Sequence, residues 1–169
     1  MSRGSVSIEV AVLAPAFVAM MVLGGVAGRT AVASAALEVA AHDAARAASI
    51  SRDTATARQE AEEAARRQLD WRGVSCSGTP QVTFRGSVDG RAATFDRVFA
   101  SAVGQNAAVT VEVACTVSYS DIRLPALTMP DGQRVTASFT SPLDRYRSRA
   151  LGFGITEAGS AANPSAGGV

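Results

Sequence analysis

An uncharged apolar run over residues 10–28 constrains this chain more than any other feature. The run has 19 residues, contains Leu13, Phe17 and Leu23, and is closed by Arg29. As an α-helix it spans about 28 Å, close to the hydrocarbon thickness of a bilayer. We therefore expect residues 5–29 to form a single transmembrane helix rather than the core helix of a soluble protein.

The chain beyond Arg29 is rich in alanine and is expected to continue as helix to about Ser49. Residues 49–56 indicate a break. Thr56 followed by Gln59 has the spacing of a capping box, which predicts a second helix from Thr56 to about Leu69. Residues 30–72 are accordingly interpreted as a helical stalk.

Strand patterns follow after residue 73. Residues 81–85 alternate between apolar and polar side chains, and Asp89-Gly90 is a hairpin turn signal that makes residues 92–99 the expected second arm. Residues 108–119 give the clearest strand pattern. Its alternate residues are predicted to point to one face; they are Val109, Val111, Val113, Cys115, Val117 and Tyr119.

A further turn signal at Asp131-Gly132 precedes residues 134–141, which are expected to pair with that strand. The composition of residues 156–169 is typical of a disordered tail. The fold class expected is thus α+β: a long N-terminal helix, its first half transmembrane, followed by a small antiparallel sheet of three or four strands within residues 73–155.

Composition and motifs point away from several function classes. The formal net charge is +1, which does not favour nucleic acid as a partner. His42 is the single histidine and is interpreted as an exposed helical residue whose neighbour Asp43 points to another face of the helix. No phosphate-binding loop, metalloprotease or serine-hydrolase pattern occurs. We expect no catalytic residue, metal or cofactor. The Glu/Arg run at residues 60–67 is interpreted as a solvated helix face rather than a docking surface.

The segment before the apolar run reads Met-Ser-Arg-Gly-Ser-Val-Ser-Ile-Glu, ending at Glu9. A secretory signal peptide has a shorter apolar core and a small-residue cleavage site after that core. A weak site of this kind exists around Ala33 and Ala35, but alanine-rich sequence produces such matches by chance. Glu9 directly before the apolar run is not expected of a signal peptide.

A different pattern fits these residues better. Cleavage between Gly4 and Ser5 makes residues 1–4 a short basic leader, places Glu9 at the fifth mature position and leaves Pro15 six residues further on. The segment, over residues 3–50, resembles the TadE/TadG-like branch of tight-adherence (Flp-type) pilus proteins, which have a type IV prepilin-like N-terminus. The stretch from His42 to Ala48 is also similar to that branch.

The resemblance implies a set of partners and residue roles. Gly4-Ser5 is the bond cut by a prepilin peptidase, and Gly4 gives that bond an unhindered backbone. Glu9 pairs with the α-amine of a neighbouring pilin and thereby sets subunit register. Pro15 removes a backbone hydrogen bond and is expected to kink the helix, either for extraction and packing or as a tolerated membrane proline. Other pilins or pseudopilins, membrane platform proteins and the lipid bilayer are the implied partners.

Two cysteines, Cys76 and Cys115, both follow the apolar run and share one compartment. If that compartment is outside the cytoplasm, a disulfide is the natural interpretation; in the cytosol they are two buried thiols. A bridge is predicted to tie the junction between helix and sheet to the centre of the sheet.

The resulting hypothesis is a non-enzymatic minor pilin or pseudopilin-like component of a tight-adherence pilus or related secretion assembly. It is held in the cell membrane with its N-terminus cytoplasmic and its C-terminal domain outside. One alternative is a single-pass membrane-anchored extracytoplasmic binding domain unrelated to pili. Another is a secreted enzyme or inhibitor released by signal peptidase, with a mature N-terminus near Ser34 or Ala36.

Overall fold

A computed structural model describes residues 3–121 and 130–145, with side chains from Val10 onward. The expected α+β class is confirmed: a long N-terminal helix is followed by an antiparallel sheet of four strands. The predicted tail at residues 156–169, and the last ten residues assigned to the β-rich domain, lie outside the described residues.

Helix α1 runs without interruption from Arg3 to Ile50. Its 48 residues give a length of about 72 Å. From Val10 to Gly28 its composition is apolar, and beyond Arg29 alanine, the best helix former, dominates. One helix therefore serves both as the apolar N-terminal segment and as part of the folded domain.

Helix α2 (Thr54–Trp71) turns back along α1 after the three residues 51–53. Its start differs from the predicted capping box at Thr56. Asp53 is the N-cap, and its carboxylate accepts a hydrogen bond from the backbone N–H of Thr56 at 2.9 Å. Aspartate is among the strongest N-caps and stands earlier in the chain, so the helix begins two residues before Thr56.

Alanine lines the contact between the two helices. The buried residues of the two helices are mostly alanines; they are Ala33, Ala36, Ala40, Ala41, Ala44, Ala45, Ala48, Ala57, Ala61, Ala64 and Ala65. Side chains this small let the helix backbones approach closely. On α2 two ion pairs join residues four positions apart, with Arg66 at 3.4 Å from Glu62 and Arg67 at 3.5 Å from Glu63.

The sheet consists of β1 (Gln81–Val88), β2 (Arg91–Ala93), β3 (Ala107–Ser118) and β4 (Gly132–Pro142) in the order β2-β1-β3-β4. Every neighbouring pair is antiparallel. The turn predicted at Asp89-Gly90 is confirmed: both residues have positive φ, 49° and 76°. Two-residue hairpin loops of type I′ require positive φ at both positions, because this turn matches the right-handed twist of the strands.

The predicted inward face of β3 is confirmed as the centre of the core. Its six alternate residues, from Val109 to Tyr119, are all buried. They pack together with Leu37 of α1 and Leu69 of α2 in one cluster. The helical hairpin and the sheet therefore share a single hydrophobic core.

The prediction for residues 92–99 is wrong beyond Ala93. The second hairpin arm has three residues, and helix α3 (Phe95–Phe99) follows. The hydroxyl of Thr94 caps α3 by accepting from the N–H of Arg97 at 3.3 Å. Phe95, Val98 and Phe99 are buried at a spacing of three and four, which is helical and incompatible with a strand.

Candidate functional site

The exposed apolar surface of α1 is the first component of the site. Eight large hydrophobic side chains of the run are exposed: Val10, Val12, Leu13, Phe17, Val18, Met20, Met21 and Leu23. The most apolar 18-residue window has a mean hydropathy of 2.3, and none of it is buried in the folded domain. Soluble proteins rarely expose so large a contiguous apolar patch. Among the described residues, this one helix is long and apolar enough to cross a membrane.

The residues of the predicted peptidase and register sites lie at the start of this helix. Helix α1 begins at Arg3, so Gly4, Ser5 and Glu9 are all part of it in backbone conformation; their side chains lie outside the described part of the chain. Ser5 and Glu9 are four positions apart, which places them on one face of the helix one turn from each other. Pro15 lies inside α1, and the helix continues through it.

A group of polar residues, here called the polar collar, lies against α1 where the apolar run ends. We use this name for Arg29 and Thr30 of α1 together with Ser118, Tyr119 and Asp121 at the end of β3. The guanidinium of Arg29 donates to both carboxylate oxygens of Asp121, at 2.5 and 2.7 Å, and to the backbone carbonyl of Ser118 at 3.0 Å. A two-pronged pair of this kind fixes direction as well as distance.

The second contact of the collar is between hydroxyl groups. Thr30 Oγ1 and the Tyr119 hydroxyl share a hydrogen bond of 2.6 Å, and the Tyr119 hydroxyl also donates to Gln133 Oε1 at 3.3 Å. The rest of Tyr119 is buried, with 2% exposure. The collar thus connects α1 to both β3 and β4 within one turn of the last apolar residue.

The electrostatic effect of the collar is clear at Asp121. The hydrogen bond from the Arg29 guanidinium, followed by one from its own backbone N–H, holds the pKa of the Asp121 carboxyl below its usual range. Since the carboxylate is stabilised by a cation, the pair exists as two charges at neutral pH. The charge that closes the apolar run is therefore matched within the protein.

Cys76 and Cys115 lie close to the collar and are joined in a disulfide. Their Cα atoms are 5.5 Å apart, within the range that a disulfide requires. Cys76 also forms a β-bridge with Val117, two residues before Tyr119. The disulfide and this β-bridge together tie the segment after α2 to the end of β3 that lies near the collar.

His42 differs from its predicted environment. It is half-exposed, its Nδ1 lies 3.1 Å from Asp43 Oδ1, and its ring meets the ring of Phe139 edge-on with centroids 4.5 Å apart. The prediction that Asp43 points to a different face was wrong because the short Asp side chain reaches the imidazole of the preceding residue. His42 therefore packs against the edge of the sheet.

The collar is the part of the site that sequence reasoning missed. Arg29 was recognised only as the end of the apolar run, and Tyr119 only as the last inward residue of a strand. A weak signal existed in each: a cation just outside an apolar run needs a partner if it is not to face lipid, and a buried tyrosine needs one for its hydroxyl.

Geometry defines the class of protein: a small α+β domain that shares its first helix with an exposed apolar segment long enough for a membrane anchor. Comparison of the chain with protein-family models, with curated proteins and with solved structures returned no match. The TadE/TadG-like resemblance of residues 3–50 stays a prediction.

Proposed function

We propose that this chain is a minor pilin or pseudopilin-like component of a tight-adherence pilus or related secretion assembly, processed by a prepilin peptidase. The observation that carries the proposal is the register of Gly4, Ser5, Glu9 and Pro15 against one uninterrupted, exposed apolar helix. The role is structural and needs no catalytic group.

The chemistry of the mature N-terminus supports this role. Cleavage after Gly4 gives Ser5 a free α-amine one helical turn from Glu9. A carboxylate carried unpaired into the bilayer costs up to a few kcal/mol, and pairing with the amine of a neighbouring subunit offsets that cost. Because α1 is continuous from Arg3 to Ile50, the axial position that this pairing gives the N-terminus also fixes the axial position of the folded domain.

Cleavage within α1 by ordinary signal peptidase fits the structure poorly. A cut next to Ala33 or Ala35 removes Arg29 and Thr30, and with them every contact of the collar. It also places a new charged terminus beside Ala36 and Leu37, both of which are fully buried. The secreted alternative therefore requires loss of packing that the anchored protein keeps.

One observation supports an extracytoplasmic location for the sheet domain, and one opposes it. The disulfide between Cys76 and Cys115 is typical of an oxidising compartment. Arg29 follows the apolar run and by the positive-inside rule argues for the opposite orientation. The proposed orientation therefore rests on the disulfide and on the prepilin-like pattern of the N-terminus, against a single arginine.

N-terminal sequencing of the membrane-extracted protein tests the proposal. We expect the mature chain to start at Ser5, and Gly4→Leu to block processing. Gly25→Leu is the matched control, since nothing lies within 4 Å of the Cβ that a side chain adds there. A start at Met1 or Ser2 favours the plain membrane anchor, and a start near Ser34 favours the secreted alternative.

Orientation has a separate test. A reporter that is active only outside the cytoplasm, fused after Val169, is expected to be active in cells. A silent reporter on a well-expressed, membrane-bound fusion contradicts the proposed orientation without affecting the cleavage result.

A further inference from the structure

Among residues 3–121 and 130–145, none pairs with the outer edge of β4 over most of its length. The backbone N–H of Leu143 donates to the carbonyl of Ala107 at 2.8 Å, and the backbone N–H of Tyr119 donates to the carbonyl of Asp131 at 3.1 Å. Because hydrogen-bonded pairs alternate along an antiparallel ladder, the odd-numbered residues of β4 are the ones bonded to β3. The N–H and C=O groups of the even-numbered residues therefore point away from the sheet. These residues are Arg134, Thr136, Ser138 and Thr140; all are exposed, and none makes a backbone bond outside the ladder within residues 3–121 and 130–145.

Within the described part of the chain, the middle of this edge has little protection against strand pairing. Natural sheets protect long edges with proline, a bulge, charged side chains or a covering helix or loop, and the one charged residue of β4 is Arg134, near its start. The register of β4 with β3 is unbroken from Gly132 to Pro142, and proline occurs only at its last position. The opposite edge of the sheet is β2, which has three residues and offers a far shorter template.

A groove runs beside the open edge. Glu38, Val39 and His42 of α1 form one wall, and residues 136–139 of β4 form the other, around a volume of about 580 Å³. Phe139 pairs with buried Val111 and so belongs to the inward face of β4, yet it is 39% exposed. Together with half-buried Val39 and Ala137, it gives the groove an apolar floor next to unpaired backbone groups.

The charge on the rim of the groove indicates what kind of ligand would fit there. Glu38 is exposed on the rim of the groove and forms no ion pair among the described side chains. A basic side chain is the complement of this carboxylate. The open backbone favours an extended peptide, and the floor favours apolar side chains at every second position, since alternate residues of a strand face the same side.

We propose that this groove binds an extended segment of a partner protein, which adds to β4 as a fifth strand. Its apolar side chains lie on Phe139 and Val39, and a basic residue lies beside Glu38. Main-chain hydrogen bonds supply affinity in this mode of recognition, and the side-chain pockets supply selectivity. The inference concerns the folded domain alone and does not depend on the pilus assignment.

Amide hydrogen exchange of the full chain in detergent micelles tests the proposal. The probe is a synthetic heptapeptide, Arg-Val-Thr-Val-Thr-Val-Thr. In the free protein we expect fast exchange at the outward amides of Thr136 and Ser138, and slow exchange at Ala137, which bonds to β3. The peptide is expected to slow exchange at the outward amides at least tenfold and to leave β2 unchanged.

Ser138→Pro removes one outward N–H and leaves the ladder to β3 intact, because proline is tolerated where the N–H of an edge strand faces solvent. We expect it to weaken peptide binding about tenfold, through one lost hydrogen bond and a steric clash. Ser138→Ala is the matched control and should bind like the wild type.

A second measurement isolates the charge. Replacing the arginine of the probe with glutamate is expected to weaken binding about two- to fivefold, as for an exposed ion pair, and Glu38→Gln should abolish the difference between the two peptides. The proposal is overturned if the outward amides are already protected in the free chain, which means that the chain covers its own edge. It is equally overturned if the probe protects only other residues, or if a folded Ser138→Pro protein binds as well as the wild type.

Discussion

Arg29 and Asp121, 92 positions apart in the chain, form a two-pronged ion pair at the point where the apolar run of α1 ends. The pair places the end of β3 directly against the last apolar turn of the helix. The apolar segment and the folded domain share one helix and are also joined by a defined set of polar contacts.

Removal of either member of this pair is expected to loosen the collar. Arg29→Gln and Asp121→Asn should each lower the midpoint of thermal unfolding. Because each change removes the same interaction, the double variant should be as stable as the less stable of the two single variants. Arg91→Gln, an exposed arginine of β2, is the control. The measurement is thermal unfolding by circular dichroism; additive losses contradict a direct pairing of the two residues.

The same pair predicts a pH dependence. The pKa of Asp121 is lowered in the folded protein, so its contribution to stability is fully present above the unfolded value of about 3.9 and is lost as pH falls through the folded pKa. Asp53 acts in the same direction, because the N–H of Thr56 lowers the pKa of its carboxyl.

Unfolding followed from pH 5 downward should therefore show a loss of stability that is smaller in Asp121→Asn than in the wild type. An identical acid profile for the two proteins contradicts the role of the carboxylate. The residual loss in the variant is the part expected from Asp53 and the other acids.

Loss of the disulfide is expected to be costly. The bridge closes a loop with a sequence separation of 39, for which loop entropy gives about 4 kcal/mol of stabilisation. The double variant Cys76→Ala/Cys115→Ala should be less stable by an amount of this order in urea unfolding. Reduction of the wild type should give a similar loss. If reduction changes nothing, the cysteines are not bridged in the protein as it is made in cells.

Glu9→Ala separates the pilin-like hypothesis from a plain anchor. Removal of a carboxylate at a membrane boundary does not hinder insertion, so the amount of membrane-bound protein should stay constant. Co-purification with other pilins should fall, because the partner of the Ser5 amine is lost. Glu60→Ala, an exposed acid of α2, is the control. Normal assembly of Glu9→Ala makes the carboxylate a mere flanking charge.

Two glycines give opposite expectations. A Cβ at Gly132 meets the backbone carbonyl of Val117, which cannot move without breaking the β3–β4 ladder, whereas a Cβ at Gly25 meets nothing within 4 Å. Gly132→Ala is expected to destabilise the domain by about 1–3 kcal/mol, the range for overpacked sites. Gly25→Ala should leave its stability unchanged. Denaturant unfolding of the two variants measures the difference.

Periodicity made the sheet centre predictable and left its margins uncertain. The alternation of Val109, Val111 and Val113 identified the buried face of β3, and Asp89-Gly90 identified the hairpin, because both signals are local. Helix α3 was missed since Phe95 and Phe99 lie in a segment that also suits a hairpin arm. The cap at Asp53 was missed because a neighbouring Thr56-Gln59 pair matched a known motif.

The collar could not be derived from sequence for a different reason. Arg29 and Thr30 meet Tyr119 and Asp121 only after α2 and the sheet have folded over α1. Each contact joins residues about 90 positions apart. Local patterns carry no information on such distances, and no single residue type in the collar is unusual by itself.

The continuity of α1 has a consequence for the angular relation between its apolar N-terminal segment and the outer edge of β4. Successive residues of an α-helix are turned by about 100°. Because Thr30, His42 and Ser49 of this helix contact Tyr119, Phe139 and Ser141 in turn, the sheet cannot rotate independently of the segment before it. The rotation of α1 about its own axis therefore sets two directions together: the face that the apolar turns present to their neighbours, and the direction in which the edge of β4 points. Inserting one residue among the apolar turns is equivalent to turning that edge about a quarter of the way around the helix axis.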